Sequence, residues 1–203
     1  MIITIDLDGV VFDLNKIIKD IFIKYNLEYF TPKTWTFDGY PENIKQEIYK
    51  SFKTDAVVNT PIIDNKIRDT IYTLNLENSI YFVSSRFKDL HKPTIERMLN
   101  EFPFLDNSQI LLTDNQSKTP ILKQLKSNLH IDDSPSVIQE CLDNKINCIM
   151  ISNEDSEYNK HLKNKVFHTS SLNNVIDYLY SFYKAEYLPN FHLAVQDTFI
   201  KNH

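Results

Sequence analysis

The chain has 203 residues, 42% hydrophobic and 12% aromatic, which suits one domain with a real core and excludes disorder and repeats. It carries only two glycines, where an average usage of roughly 7% would give about fourteen, and Gly9 and Gly39 stand too far apart to write a G-x-G-x-x-G fingerprint or a P-loop. A formal charge of −5, from 22 basic and 27 acidic residues, argues against a broad duplex nucleic-acid footprint while leaving room for a local basic pocket.

The run Met1 to Ile5 reads as a buried strand. It has no basic flank and too few residues for a signal peptide or a membrane span, so the chain is read as cytoplasmic with no membrane partner. The strand runs straight into Asp6-Leu7-Asp8-Gly9-Val10. Two like charges ~4 Å apart at an effective dielectric of about 20 repel by ~4 kcal/mol, so something has to offset this carboxylate pair. Gly9 follows where the chain must turn off the strand, and a positive φ or a close backbone approach is expected there.

Three helical stripes follow: Leu14, Ile17, Ile18, Ile21, Phe22 and Tyr25; then Ile44, Ile48 and Phe52; then Ile63, Ile67, Ile71 and Leu74. Only the last is needed to return the chain to a sheet. Residues 15–60 are therefore expected to form a small helical insertion. Its irregular middle, Tyr29 to Tyr40, holds five aromatics in twelve positions. Those rings either pack the insertion against itself or form a stacking wall for a flat ligand, Trp35 first.

A second strand, Ser79 to Val83, ends at Ser84-Ser85. Arg86, Lys88, His91 and Lys92 make the next loop locally basic, as solvated surface or as a contact to an anionic substrate. Ile95, Met98, Leu99 and Phe102 mark a helix, and Gln109 to Thr113 a third strand. Lys118 stands before Thr119-Pro120, a helix start in which proline suits the first helical position, and Ile121, Leu122 and Leu125 continue that helix.

The short run Asn128 to Ile131 is accepted as a strand because Asp132-Asp133 and the helix start Ser134-Pro135 follow it. His130, within that run, is read as a core histidine. Val137, Ile138, Cys141 and Leu142 mark a helix, Ile146 to Ile151 a fifth strand, and Leu172, Val175, Ile176, Leu179 and Tyr180 a closing helix. Cys141 and Cys148 fall on apolar stretches and read as two small core residues in a reducing compartment. Residues 188–203 are a tail without an assigned structure.

Alternation of strand and helix implies right-handed crossovers and an α/β fold, a Rossmann-like doubly wound parallel sheet. In such a sheet the carboxyl ends of the strands form the ligand edge. If the two acidic strands are neighbours, three or four carboxylates converge there, and a hard divalent cation such as Mg²⁺ with a phosphate is the natural partner.

These residues resemble the signature of the haloacid dehalogenase (HAD) superfamily of phosphatases. Asp6-x-Asp8-Gly9-Val10 matches its first motif, Ser84 its Ser/Thr motif, Lys118 its motif lysine and Asp132-Asp133 its terminal acidic motif, in the family's order. The resemblance implies a sheet order of 3-2-1-4-5. It also implies a core of residues 1–14 and 61–187, with 15–60 as a C1-type cap. Asp6 is then implied as nucleophile and Asp8 as general acid and base. Mg²⁺ is implied on Asp6, the Asp8 backbone carbonyl and one of Asp132 and Asp133. Ser84 and Lys118 would hold phosphate, Ser85 is a second candidate beside Ser84, and Gly9 lets the chain pass close by.

A finer resemblance is to the 5'(3')-deoxyribonucleotidases, through Asp-x-Asp-Gly-Val, the aromatic cap around Trp35 and Ile131-Asp132-Asp133-Ser134-Pro135. It implies a small phosphomonoester substrate, a deoxyribonucleotide, with the cap aromatics Phe30, Trp35 and Phe37 as substrate contacts; Arg86 stays a substrate-contact candidate on the basic loop alone. The sequence differs from the animal members in carrying Ser84-Ser85-Arg86 where they have Thr-Ser-Pro. Two alternatives stand beside this reading: a phosphatase for another small phosphoester or a polynucleotide 3'-phosphate, and a catalytically idle fold that binds a nucleotide or a protein. A homodimer is left open.

Overall fold

The computed structural model describes residues 1–180 except 33, 35 and 153–156. Trp35 and the tail from Leu188 lie outside the described residues. Six short strands form one parallel sheet: β1 (Ile2–Ile5), β2 (Ser79–Ser84), β3 (Ile110–Leu112), β4 (Leu129–Asp132), β5 (Cys148–Ile151) and β6 (Phe167–Thr169). Their spatial order is β3-β2-β1-β4-β5-β6, the expected 3-2-1-4-5 with one strand added at an edge. β6 escaped the sequence reading because it is three residues long, only partly buried and without an apolar run.

β1 is central because both its faces and both its edges are covered. Ile3 and Ile5 pair with Ile80 and Phe82 of β2 on one side and with Leu129 and Ile131 of β4 on the other. Period-two alternation then sorts side chains to two faces. Ile3, Ile5, Ile80, Phe82, Ile131 and Ile149 pack with Ile67 and Ile71 of α4 (Ile67–Glu77) and Met98 of α5 (His91–Glu101). On the opposite face Val83, Cys148 and Met150 meet Leu122 of α6 (Thr119–Leu125) and Ile138 and Cys141 of α7 (Pro135–Asp143). Each fully buried aliphatic or phenyl side chain contributes roughly 1.5–3 kcal/mol, so these two layers hold the sheet. Both cysteines are free and buried in the second layer.

Helix starts position the chemistry. Ser134 is the extended N-cap of α7, with Pro135 at the first helical position. α6 starts one residue earlier than expected, with Lys118 at the N-cap and Pro120 inside the first turn. The closing segment begins as a 3-10 turn at Leu172–Asn174 and is helical over 175–180.

Between β1 and α4 stand α1 (Leu14–Lys24), α2 (Glu42–Ser51) and α3 (Asp55–Val58). They gather Ile17, Ile18, Ile21, Phe22, Tyr40, Ile44, Ile48, Val57 and Val58 into a hydrophobic cluster of their own, joined by Leu90. The chain leaves and re-enters the sheet through a paired stalk. Phe12 bridges Ile62 antiparallel, Asp13 N donates to Pro61 O at 2.9 Å, and Ile63 N to Val11 O at 3.0 Å. Ile63 belongs to that stalk and is half exposed, so the third helical stripe begins at Ile67. No helix among the described residues is long and apolar enough to cross a membrane.

Candidate active site

The parallel topology brings the carboxyl ends of β1, β2 and β4 to one edge. Asp6 continues the β1 ladder, its amide donating to Ile131 O at 2.9 Å. The chain then turns sharply, with Val11 N and Phe12 N both on Leu7 O and Gly9 N on Phe12 O, each at 2.9 Å. Gly9 sits in that turn at φ +79°, in the left-handed region as expected. A Cβ there would stand 1.7 Å from Asp133 Oδ2, so the glycine also makes space for a carboxylate from the neighbouring strand.

Lys118 lies between the two acidic pairs. Its Nζ is 2.7 Å from Asp6 Oδ1 and 2.6 Å from Asp132 Oδ2, and the side chain is 3% exposed. Burial works against its charge, but Asp132 and Asp6 outweigh burial and hold its pKa above the usual lysine range. Asp132 is the mirror case: burial would raise its carboxyl, and Lys118 with His130 more than reverses this, leaving it well below the usual carboxylate range.

Asp132 has three donors around it. Oδ2 faces Lys118 Nζ and His130 Nε2 at 3.0 Å, and Oδ1 accepts the Ser134 amide at 2.8 Å. β4 alternation puts His130 and Asp132 on one face, and the β1 register sets His130 opposite Thr4. Thr4 Oγ1 lies 2.9 Å from His130 Nδ1. Burial holds His130 below its ordinary pKa, so the ring is neutral, and the anionic Asp132 fixes the proton on Nε2. His130 is thus a core residue that also supports the site, legible from its i, i+2 relation to Asp132.

Asp133 stands in contrast: it accepts no hydrogen bond among the described residues. Burial first, then Asp132 and Asp6, push its carboxyl well above the usual range. Burial likewise raises Asp6 to about 7, with Lys118 pulling down and Asp132 and Asp8 pushing up. Asp6 Oδ1 is buried, and the Lys118 ammonium 2.7 Å away is its close partner. One oxygen each of Asp6, Asp132 and Asp133 lies within 4.8 Å of the others. Three carboxylates converging on one point are a hard-oxygen donor set, which fits a divalent cation of the Mg²⁺ type. Asp132 carries three donors where Asp133 has none among the described residues, so Asp6 and Asp133 offer the more open oxygens to such an ion, with one lone pair of Asp132 Oδ1 also left.

Ser84 ends β2 beside this cluster, 1% exposed, with Oγ accepting the Arg86 amide at 3.4 Å. Ser85 is half-buried, and its carbonyl accepts the Asn115 amide at 3.0 Å. Arg86 differs from the expected substrate contact. Its side chain is 2% exposed and its guanidinium is spent on Asp8, Nε to Oδ2 at 3.0 Å and Nη2 to Oδ1 at 2.8 Å. That pairing joins residues far apart in sequence, and no local signal announced it.

The aromatic segment of the insertion packs on itself. Phe30 meets Phe22 and Tyr40 edge-on at 5.8 and 5.0 Å, and Phe37 stacks on Tyr40 at 5.7 Å. Phe30 keeps 44% of its surface exposed.

No family model and no curated protein matches the sequence. Solved structures do match the fold. A haloacid dehalogenase-like family hydrolase from Streptococcus pneumoniae aligns at TM-score 0.59 and 16% identity, covering 88% of this chain and 97% of that one. A hydrolase from Pseudomonas syringae aligns at 0.55 and 12%, covering 87% and 96%. A HAD-superfamily hydrolase of subfamily IA, variant 1, from Geobacter sulfurreducens aligns at 0.52 and 12%, covering 88% and 95%. The chain therefore has the Rossmann-like HAD fold, and at these identities the likeness speaks for the fold alone.

Proposed function

We propose that this protein is a Mg²⁺-dependent phosphomonoesterase acting on a deoxyribonucleoside monophosphate, a 5'(3')-deoxyribonucleotidase-like hydrolase. The observation that carries the reading is the cluster of Asp6, Asp132 and Asp133 around Lys118, at the sheet edge where ligands of open α/β folds bind. Displacing a halide would not need this concentration of carboxylates, whose mutual repulsion is worth bearing only where a cation and a phosphoryl group share the site. The HAD-like hydrolase neighbours support an enzyme.

Asp6 attacks phosphorus in line, and the bond from phosphorus to the ester oxygen breaks with its electron pair leaving on that oxygen. The leaving oxygen takes a proton from the Asp8 carboxyl, and an aspartyl-phosphate remains on Asp6. Asp8 then takes a proton from water, whose oxygen attacks phosphorus and frees Asp6 as inorganic phosphate forms. Lys118 balances charge on Asp6 and on the phosphoryl oxygens, and Ser84 donates its hydroxyl to one of them. Asp6, Asp133 and the Asp8 carbonyl would hold Mg²⁺, which would supply charge neutralisation between carboxylate and phosphate.

Residues 15–60 act in this reading as a cap over the core of 1–14 and 61–187. Among the cap aromatics, the exposure of Phe30 supports a base contact better than the stacked Phe37 does. Phosphate release from dTMP and dUMP, with Mg²⁺ and with EDTA, tests the proposal. Release is expected only with the metal, and Asp6→Asn lowers it by at least about 10³-fold. A preference for sugar phosphates or for 3'-phosphates at nicked DNA would replace the substrate, and binding without release of any phosphate would replace the activity.

A further inference from the structure

Arg86 is more constrained than any role on the protein surface would require. Of its five N–H donors, Nε and one on Nη2 grip the two Asp8 oxygens at 3.0 and 2.8 Å. A second on Nη2 donates to Val57 O at 3.0 Å, and Nη1 donates to Thr94 Oγ1 at 3.1 Å. The guanidinium carbon stands 5.3 Å from the centre of the Phe12 ring, which covers one of its faces. Thr94 and Val57 are themselves buried, so the fork is locked from several sides. Its anchors come from three places: Thr94 from α5, Val57 from α3 of the insertion and Phe12 from the stalk.

A single ion pair would only neutralise Asp8. A planar fork reaching both oxygens also fixes the plane of the carboxyl group. Each Asp8 oxygen keeps a lone pair after accepting one N–H, and the clamp fixes the direction in which that lone pair points. We propose that Arg86 is the positioning residue for Asp8: locked by Thr94 and by the Val57 carbonyl of the insertion, it sets the plane in which Asp8 gives its proton to the leaving oxygen and takes one from water. The seat of the insertion is thereby linked to proton transfer, because Val57 O, one of the anchors of Arg86, belongs to a helix of the insertion. This inference rests on the phosphomonoesterase reading above.

Proton donation to the leaving group matters most for a poor leaving group, and this separates positioning from mere support. The experiment measures kcat and KM of wild type and Arg86→Gln on p-nitrophenyl phosphate, phenyl phosphate and glycerol phosphate. The loss in kcat for Arg86→Gln is expected to be under about 10-fold on p-nitrophenyl phosphate, whose leaving group departs without a proton, and about 100-fold or more on the alkyl ester. KM is expected to stay within about 3-fold throughout. Arg86→Lys, which cannot span both oxygens, is expected to show the same leaving-group pattern.

Thr94→Val removes one anchor while leaving Arg86 in place. It is expected to show a smaller loss of the same selectivity, and it carries the test if Arg86→Gln fails to fold. A uniform loss over the three esters in both Arg86→Gln and Thr94→Val, or a loss confined to KM, would overturn the positioning role while leaving the phosphatase intact. A wild type inactive on these three esters and on dTMP and dUMP as well would overturn the phosphatase reading and this inference with it.

Discussion

Gly9 and Asp133 share one volume: a Cβ on the glycine would stand 1.7 Å from Asp133 Oδ2 and 2.4 Å from its Cγ. Gly9→Ala must therefore displace the Asp133 carboxylate while also forcing alanine to φ +79°. The backbone penalty is on the order of 1–2 kcal/mol. The larger effect is expected on the metal: Mg²⁺ affinity by calorimetry falls at least about 10-fold in a protein that still unfolds cooperatively. An unchanged Mg²⁺ titration would remove Asp133 from the ligand set.

Asp132 and Asp133 are adjacent and identical in type, yet their substitutions are expected to act in opposite directions. Asp132→Asn takes the anion from Lys118 and His130 and costs about 3–5 kcal/mol, as breaking a buried pair does. Asp133→Asn relieves repulsion, so in EDTA it is expected to stabilise the protein by on the order of 1 kcal/mol while abolishing the Mg²⁺-induced rise in Tm. Urea denaturation in EDTA reads the stability changes, and thermal scans with and without Mg²⁺ read the metal effect. Equal destabilisation by the two would contradict the division of roles.

Most of the sheet was legible in the sequence because its strands are runs of β-branched residues buried on both faces, and Gly9 was legible because a turn off a buried strand has few solutions. The choice between Asp132 and Asp133 was not, since it depends on which donors face each carboxylate: the Ser134 amide, Lys118 and His130 all converge on the first. Nor was the Arg86 clamp legible, because it needs α3, α5 and the stalk to be folded around one guanidinium. Phe30 and Phe37 were visible as an aromatic segment, but their contacts depend on Phe22 and Tyr40.

Acidity gives a third expectation. Asp6, raised from 3.8 to about 7, and Asp133, also raised, bind protons more tightly in the folded chain than in the unfolded one. Their contribution is therefore fully present below the unfolded pKa and is lost as pH rises from about 4 towards about 7 and beyond. A cation competes with those protons, so the rise in Tm on adding Mg²⁺ is expected to be larger at pH 8 than at pH 5. Thermal scans across that range check it, and a metal effect that grows on acidification would refute the ligand assignment.

His130 bridges Thr4 and Asp132 inside the sheet. His130→Phe fills the space but takes one of two donors from Asp132 Oδ2, while Thr4 Oγ1 keeps Ser127 Oγ at 2.8 Å and Leu129 O at 3.2 Å. The expected cost is about 1–3 kcal/mol, read from the urea midpoint at constant m-value. A neutral result would mean that Lys118 alone satisfies Asp132.

The central place of β1 governs the order in which the molecule can be assembled. Ile5 pairs with Phe82 on one side and Ile131 on the other, partners that leave the ribosome long after β1 itself. A nascent chain that has not reached β4 holds an apolar strand with one edge unpaired, a template for pairing with other chains. Such non-local parallel pairing also folds slowly. The acidic pocket therefore cannot form before β4 is made, and a growing chain acquires Asp133 only when the strand that covers the second edge of β1 arrives.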